Sequence, residues 1–300
     1  MFSGFLASLF SIIAVLASVF GVPSAVEPVV AAAVDSTSED LTGPEGRPTL
    51  QSTSVVAVND DRVAQLWEDG RRECTAGYIG NDWWLTASHC MGRNLEVRQA
   101  DGDKAAIVAA TTIASRVDIA LLKSEPIDAT AFELPNRELK VDEKLWLVGF
   151  GAANDFASEA VVKIESTGLS DEFQGYEFDD LLVSRSVFAS RSCNGDSGGP
   201  LYQDNTIFAV HTGGEDNETC TDGVGRYMWH TEIYPFADAI RALMKSYDEQ
   251  VAVSDKKAAL AKQAQTIEKR TVPKVEPTIQ PDAKESKKDR SSSLSSFSSR

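Results

Sequence analysis

Ser192-Cys193-Asn194-Gly195-Asp196-Ser197-Gly198-Gly199-Pro200 sets a serine directly after an acid, four positions after a cysteine, with glycine on both sides. A serine that acts as a nucleophile needs three things at one point. Its hydroxyl must stand on a tight turn open to a carbonyl, backbone N–H groups must face the developing oxyanion, and a base must take the proton. Gly195 frees the chain to turn, so that its N–H and that of Ser197 can converge. Gly198 and Gly199 are expected to leave room for substrate backbone. The base and the acid that orients it must come from elsewhere in the chain.

Both are found upstream. Thr86-Ala87-Ser88-His89-Cys90 follows the apolar run Trp83-Trp84-Leu85, so His89 lies just past a buried strand. Asp118 heads the run Val117-Asp118-Ile119-Ala120-Leu121-Leu122. Histidine, aspartate, serine is one of the chain orders in which this triad occurs. On these three motifs, in this order, the chain resembles the trypsin/chymotrypsin-like serine proteases over about residues 50–247.

The resemblance implies an all-β fold of two packed six-stranded antiparallel β-barrels with a C-terminal helix. Short strands with glycine turns and a helical pattern over 234–245 agree with it. It implies that His89 is the base, Asp118 its orienting acid and Ser197 the nucleophile. Gly195 and Ser197 would supply the oxyanion-binding N–H groups. It further implies the disulfides Cys74–Cys90 and Cys193–Cys220; the four cysteines alone allow three pairings. In the family, the residue before the serine pairs with an amino terminus released by activation. Here the usual Ile-Val-Gly-Gly start is absent, and Gly46-Arg47-Pro48-Thr49 offers no equivalent.

The resemblance also points to a specificity pocket. Arg191 stands where an aspartate would select Lys or Arg, and His211-Thr212-Gly213-Gly214 is similar to the glutamyl endopeptidases. Gly225 matches the glycine that keeps the pocket open. Arg191, Ser192 and His211 are thus expected to receive a substrate carboxylate, with cleavage after Glu or Asp. The competing expectation makes His211 a hydrogen-bonded core residue and turns Arg191 outward.

Composition limits the function classes. The formal charge of −16 argues against a nucleic-acid partner. No Cys-x-x-Cys or Cys/His cluster suggests a metal, and no cofactor is implied. Residues 1–33 contain the apolar run Phe5–Val22 followed by small residues, and read as a secretory signal peptide. Membrane contact is expected only if that segment stays uncleaved. Residues 34–53 read as a linker or propeptide, and 54–247 as the protease domain. Residues 248–300 read as a disordered, basic, Ser/Lys/Pro-rich tail; from Lys256 onward eleven basic residues face five acidic ones. The expected product is a secreted, monomeric serine endopeptidase acting on proteins or peptides. The alternative is a protease-fold protein without catalysis, serving as a binding or adhesion module.

Overall fold

The computed structural model describes residues 57–152, 155–173, 175–187, 192–215 and 226–271, with Pro44. The expected signal segment, the linker, Arg191, Cys220 and Gly225 lie outside the described residues. Thirteen strands are described: β1 Ala57–Val58, β2 Val63–Glu68, β3 Arg71–Gly80, β4 Trp83–Thr86, β5 Glu96–Gln99, β6 Lys104–Thr112, β7 Ala120–Ser124, β8 Lys144–Gly149, β9 Ala157–Phe173, β10 Tyr176–Ser186, β11 Pro200–Gln203, β12 Thr206–Gly214 and β13 Tyr227–Glu232.

The first six strands after β1 close a barrel in the order β2-β3-β4-β7-β6-β5. Tight turns join its early strands. Asp69 and Gly70 both take positive φ (46° and 79°) between the paired Glu68 and Arg71. Asn81 and Asp82 do the same (51° and 57°) before Trp83. Such two-residue turns match the twist of the strands that they join. Leu66, Trp84, Leu85 and Leu121 are fully buried in this half.

The remaining strands form a second sheet in the order β1-β9-β10-β13-β12-β11-β8. β8 also pairs with β9, so six of these strands return on themselves as a second ring. Its core gathers Leu145, Leu147, Val162, Ile164, Leu182, Leu201 and Met228. The fold is therefore the chymotrypsin-like, all-β arrangement that the motifs implied.

Two features differ from the sequence expectation. β9 and β10 form a long hairpin that the sequence reading did not anticipate, and the outer part of β9 is largely exposed. The closing helix, α1, runs over Ala237–Thr271 and so includes residues expected to begin a disordered tail. Alanine, lysine, glutamate and glutamine dominate that part, and all are good helix formers. The tail reading is corrected for residues 248–271. Ala237 and Ile240 bury the first turn. The chain divides into two units, Met1–Ile240 and Arg241–Arg300; in the second, Lys245 and Glu249 approach to 3.9 Å one turn apart. Among the described residues no helix is long and apolar enough to cross a membrane.

Candidate active site

Antiparallel pairing brings two of the expected residues together. β4 and β7 run side by side, with Thr86 opposite Ala120. The chain leaves β4 just past Thr86 and enters β7 just before Ala120, so His89 and Asp118 meet at one end of the barrel. Residues Ser88–Cys90 form a single 3-10 turn. The Cys74–Cys90 disulfide ties that turn to β3, with Cα atoms 6.1 Å apart. Closing a loop of this length contributes on the order of 3 kcal/mol by the chain-entropy argument. It also leaves neither sulfur as a thiolate for a metal.

Asp118 is fully buried. One of its oxygens accepts the Ser88 hydroxyl at 2.9 Å and the His89 backbone N–H at 3.1 Å. The His89 ring reaches both oxygens through Nδ1, at 3.1 and 2.9 Å. Burial alone would raise the Asp118 carboxyl. The hydrogen bonds and charge of His89, with the Ser88 hydroxyl, outweigh it and hold the group below the ordinary carboxylate value. The imidazole side chain itself keeps about a fifth of its surface exposed (21%).

The serine turn comes from the second ring and is bolted to the first. Thr75 of β3 donates its N–H to the Ser197 carbonyl at 2.8 Å and its hydroxyl to the Gly195 carbonyl at 2.8 Å. Its own hydroxyl oxygen receives the Phe150 N–H at 3.0 Å, and its carbonyl receives the Thr86 hydroxyl at 2.8 Å. Gly195 takes φ +104° and Gly198 φ +83°, values that a side chain opposes. The expectation that Gly198 and Gly199 clear space for substrate is corrected. A Cβ on Gly198 would overlap the Thr86 hydroxyl and the Thr75 carbonyl, and one on Gly199 would overlap the Val148 carbonyl. These glycines let the protein's own strands close in on the turn.

Every carbonyl from Cys193 to Ser197 has a donor. Asp196 N–H takes Cys193 at 2.9 Å, Ala152 N–H takes Asn194 at 3.1 Å, and Gly199 N–H takes Asp196 at 2.8 Å; Thr75 serves Gly195 and Ser197. Among the described residues the N–H groups of Gly195 and Ser197 have no protein acceptor. The Ser197 hydroxyl lies 3.4 Å from the Thr212 carbonyl. Catalytic hydrogen bonds are often loose before substrate is bound.

Among the described pocket residues, Ser192 stays beside Gly214 and His211 turns away. Ser192 is buried, and its hydroxyl occupies the space that a Gly214 side chain would need. His211 is buried too, but its Nδ1 meets Nδ1 of His230 at 3.0 Å, and His230 Nε2 meets the Ser184 hydroxyl at 2.7 Å. Burial, and after it the field of His89, pushes the His211 ring down to about 3 against the pull of Asp118. His211 is therefore neutral at physiological pH, as expected of a hydrogen-bonded core residue. Sequence reasoning missed His230 and Ser184, whose partnership arises from strand register (His211 opposite His230).

β12 continues past its pairing with β11, which ends at Val210 opposite Pro200. Its Gly213 faces the Phe173 ring, which a Cβ there would strike. Beside Gly214 opens a cavity of about 420 Å³ lined by Asp171, Glu172, Phe173, Leu181, Glu215 and Trp229. Cys193 is disulfide-bonded; its expected partner, Cys220, lies outside the described residues.

The trypsin family model matches residues 51–240 of the chain. Among solved structures the chain is similar to mouse neuropsin, a serine protease of the limbic system, with 22% identity and TM-score 0.52 over 63% of this chain and 96% of that one. It is similar to kallikrein-related peptidase 10, with 20% identity and TM-score 0.55 over 64% and 100%. Human heparin binding protein also matches, at 16% identity and TM-score 0.53 over 64% and 96%. At these identities the three structures show the shared fold.

Proposed function

The chain belongs to the trypsin family, and on that premise we propose that it is a secreted serine endopeptidase working through Ser197, His89 and Asp118. The observation that carries the reading is the buried Asp118 bound to His89 Nδ1 beside a serine turn with two unengaged N–H groups. In the mechanism the Ser197 hydroxyl swings from the Thr212 carbonyl to His89 Nε2 and attacks the scissile carbonyl. His89 takes the proton and returns it to the leaving amine, while Asp118 stabilises the imidazolium. The N–H groups of Gly195 and Ser197 hold the tetrahedral oxyanion. Water then repeats the sequence on the acyl-enzyme. The substrate lies extended along the free edge of β12 at Thr212–Gly214, as an added antiparallel strand. The apolar run Phe5–Val22 and the Cys74–Cys90 disulfide support export to an oxidising compartment.

Cleavage after Glu or Asp is the finer proposal. His211 is neutral and turned to His230, so the substrate carboxylate would be met by Arg191 and the Ser192 hydroxyl. One experiment covers both levels. Incubated with a fluorophosphonate, the full chain is expected to label at Ser197; an unlabelled but folded protein would turn the reading to the non-catalytic binding module. A peptide library then reports the residue before the cut. Cleavage mainly after Lys and Arg, or after Phe and Leu, would remove the acidic preference and leave the peptidase standing.

A further inference from the structure

We infer that Asp196 is a positioning residue whose carboxylate, held by the N–H groups of Gly151 and Cys193, sets the serine turn in its oxyanion-binding form in the intact chain, with no released amino terminus. The inference rests on the serine-peptidase reading above. A buried carboxylate must have its charge met. Here each oxygen accepts one backbone N–H: Gly151 donates to Oδ1 at 2.7 Å and Cys193 to Oδ2 at 2.8 Å. Among the described residues no cation pairs with it. The carboxylate sits where Gly149 and Gly151 lack side chains, and a Cβ on either would overlap it. The Gly149-Phe150-Gly151 segment is thus a cradle shaped for this group. Burial pushes the Asp196 carboxyl up to about 6 against those two donors, so the charge is retained at neutral pH.

The second observation is the orientation of the turn. The Asn194 carbonyl is fastened to Ala152 N–H at 3.1 Å. In a planar trans peptide the N–H points opposite to the carbonyl. The Gly195 N–H is therefore directed away from Ala152. Asp196 holds Gly151, and Gly151 adjoins Ala152, so one short segment fixes both the carboxylate and the peptide. Thr75 takes the next carbonyl. All these donors come from residues that follow β1 in the chain: Thr75, Gly151, Ala152 and Cys193. The turn is complete before any cleavage ahead of β1.

The test uses the full chain, its mass verified as uncleaved before and after assay, beside the same chain after limited proteolysis ahead of β1. Fluorophosphonate labelling of Ser197 is expected at the same rate in both. Labelling confined to the cleaved form overturns the inference and leaves the peptidase reading intact. Labelling of neither form overturns the peptidase reading and the inference with it. The second arm is Asp196→Asn, whose amide offers one acceptor where two N–H groups need one each. Losing alignment of an oxyanion donor should lower kcat about 10²- to 10³-fold with KM unchanged, because the β12 edge still holds the substrate. A kcat equal to the parent's, or a change confined to KM, shows that Asp196 does not position the turn.

Discussion

Ser197→Ala is expected to lower turnover about 10⁶-fold while the protein still folds. The alanine keeps the backbone that does the structural work at this point. Thr75 N–H still takes the carbonyl of residue 197, and Gly198 still donates to the His211 carbonyl at 2.7 Å. Only the hydroxyl is removed, and among the described residues its one hydrogen bond is the 3.4 Å approach to the Thr212 carbonyl. The loss should therefore fall on kcat, with KM little changed. Activity against a peptide substrate and intact-protein mass after fluorophosphonate treatment check it together. Retained peptidase activity in purified Ser197→Ala would sink the nucleophile assignment.

Asp118→Asn is expected to cost about 10⁴-fold in kcat, by a different route. An asparagine fits the same space and can still accept the Ser88 hydroxyl and the His89 backbone N–H through its oxygen. Its amide, however, presents N–H to the imidazole. His89 must then accept through Nδ1 and carry its proton on Nε2, where it cannot take one from Ser197. The defect is one of tautomer rather than of placement, so the variant should bind substrate as the parent does. Steady-state kinetics separate the two effects. A loss below about tenfold would mean that Asp118 serves only the fold.

Much of the candidate site was legible because its chemistry is local. His89 and Ser197 stand in short motifs whose residue types are dictated by the turn that each occupies. The run Trp83-Trp84-Leu85 ahead of His89 stood out because both faces of β4 are buried. The Asp69-Gly70 turn carried an equally plain signal, flanked by Val63–Glu68, and went unused. β9 was not legible in the same way. Its outer half, with Glu165, Asp171 and Glu172, meets solvent and is held by pairing with β10 rather than by burial. The length of α1 past Lys245 was missed because the apolar positions of 258–267 are mostly alanine, which helps a helix without marking a face.

Residue type and order by themselves determined the family, the triad candidates and the need for glycine at 195 and 198. Tertiary structure alone decided what those residues touch. Thr75 fastens to Gly195 across 120 positions of chain, His211 turns to His230 instead of a pocket, and Asp196 receives the Gly151 N–H from 45 residues away. No local pattern encodes these partners. A buried polar group must find a donor or acceptor somewhere, and which one it finds depends on strand register and on the approach of two closed sheets, not on the residues beside it in sequence.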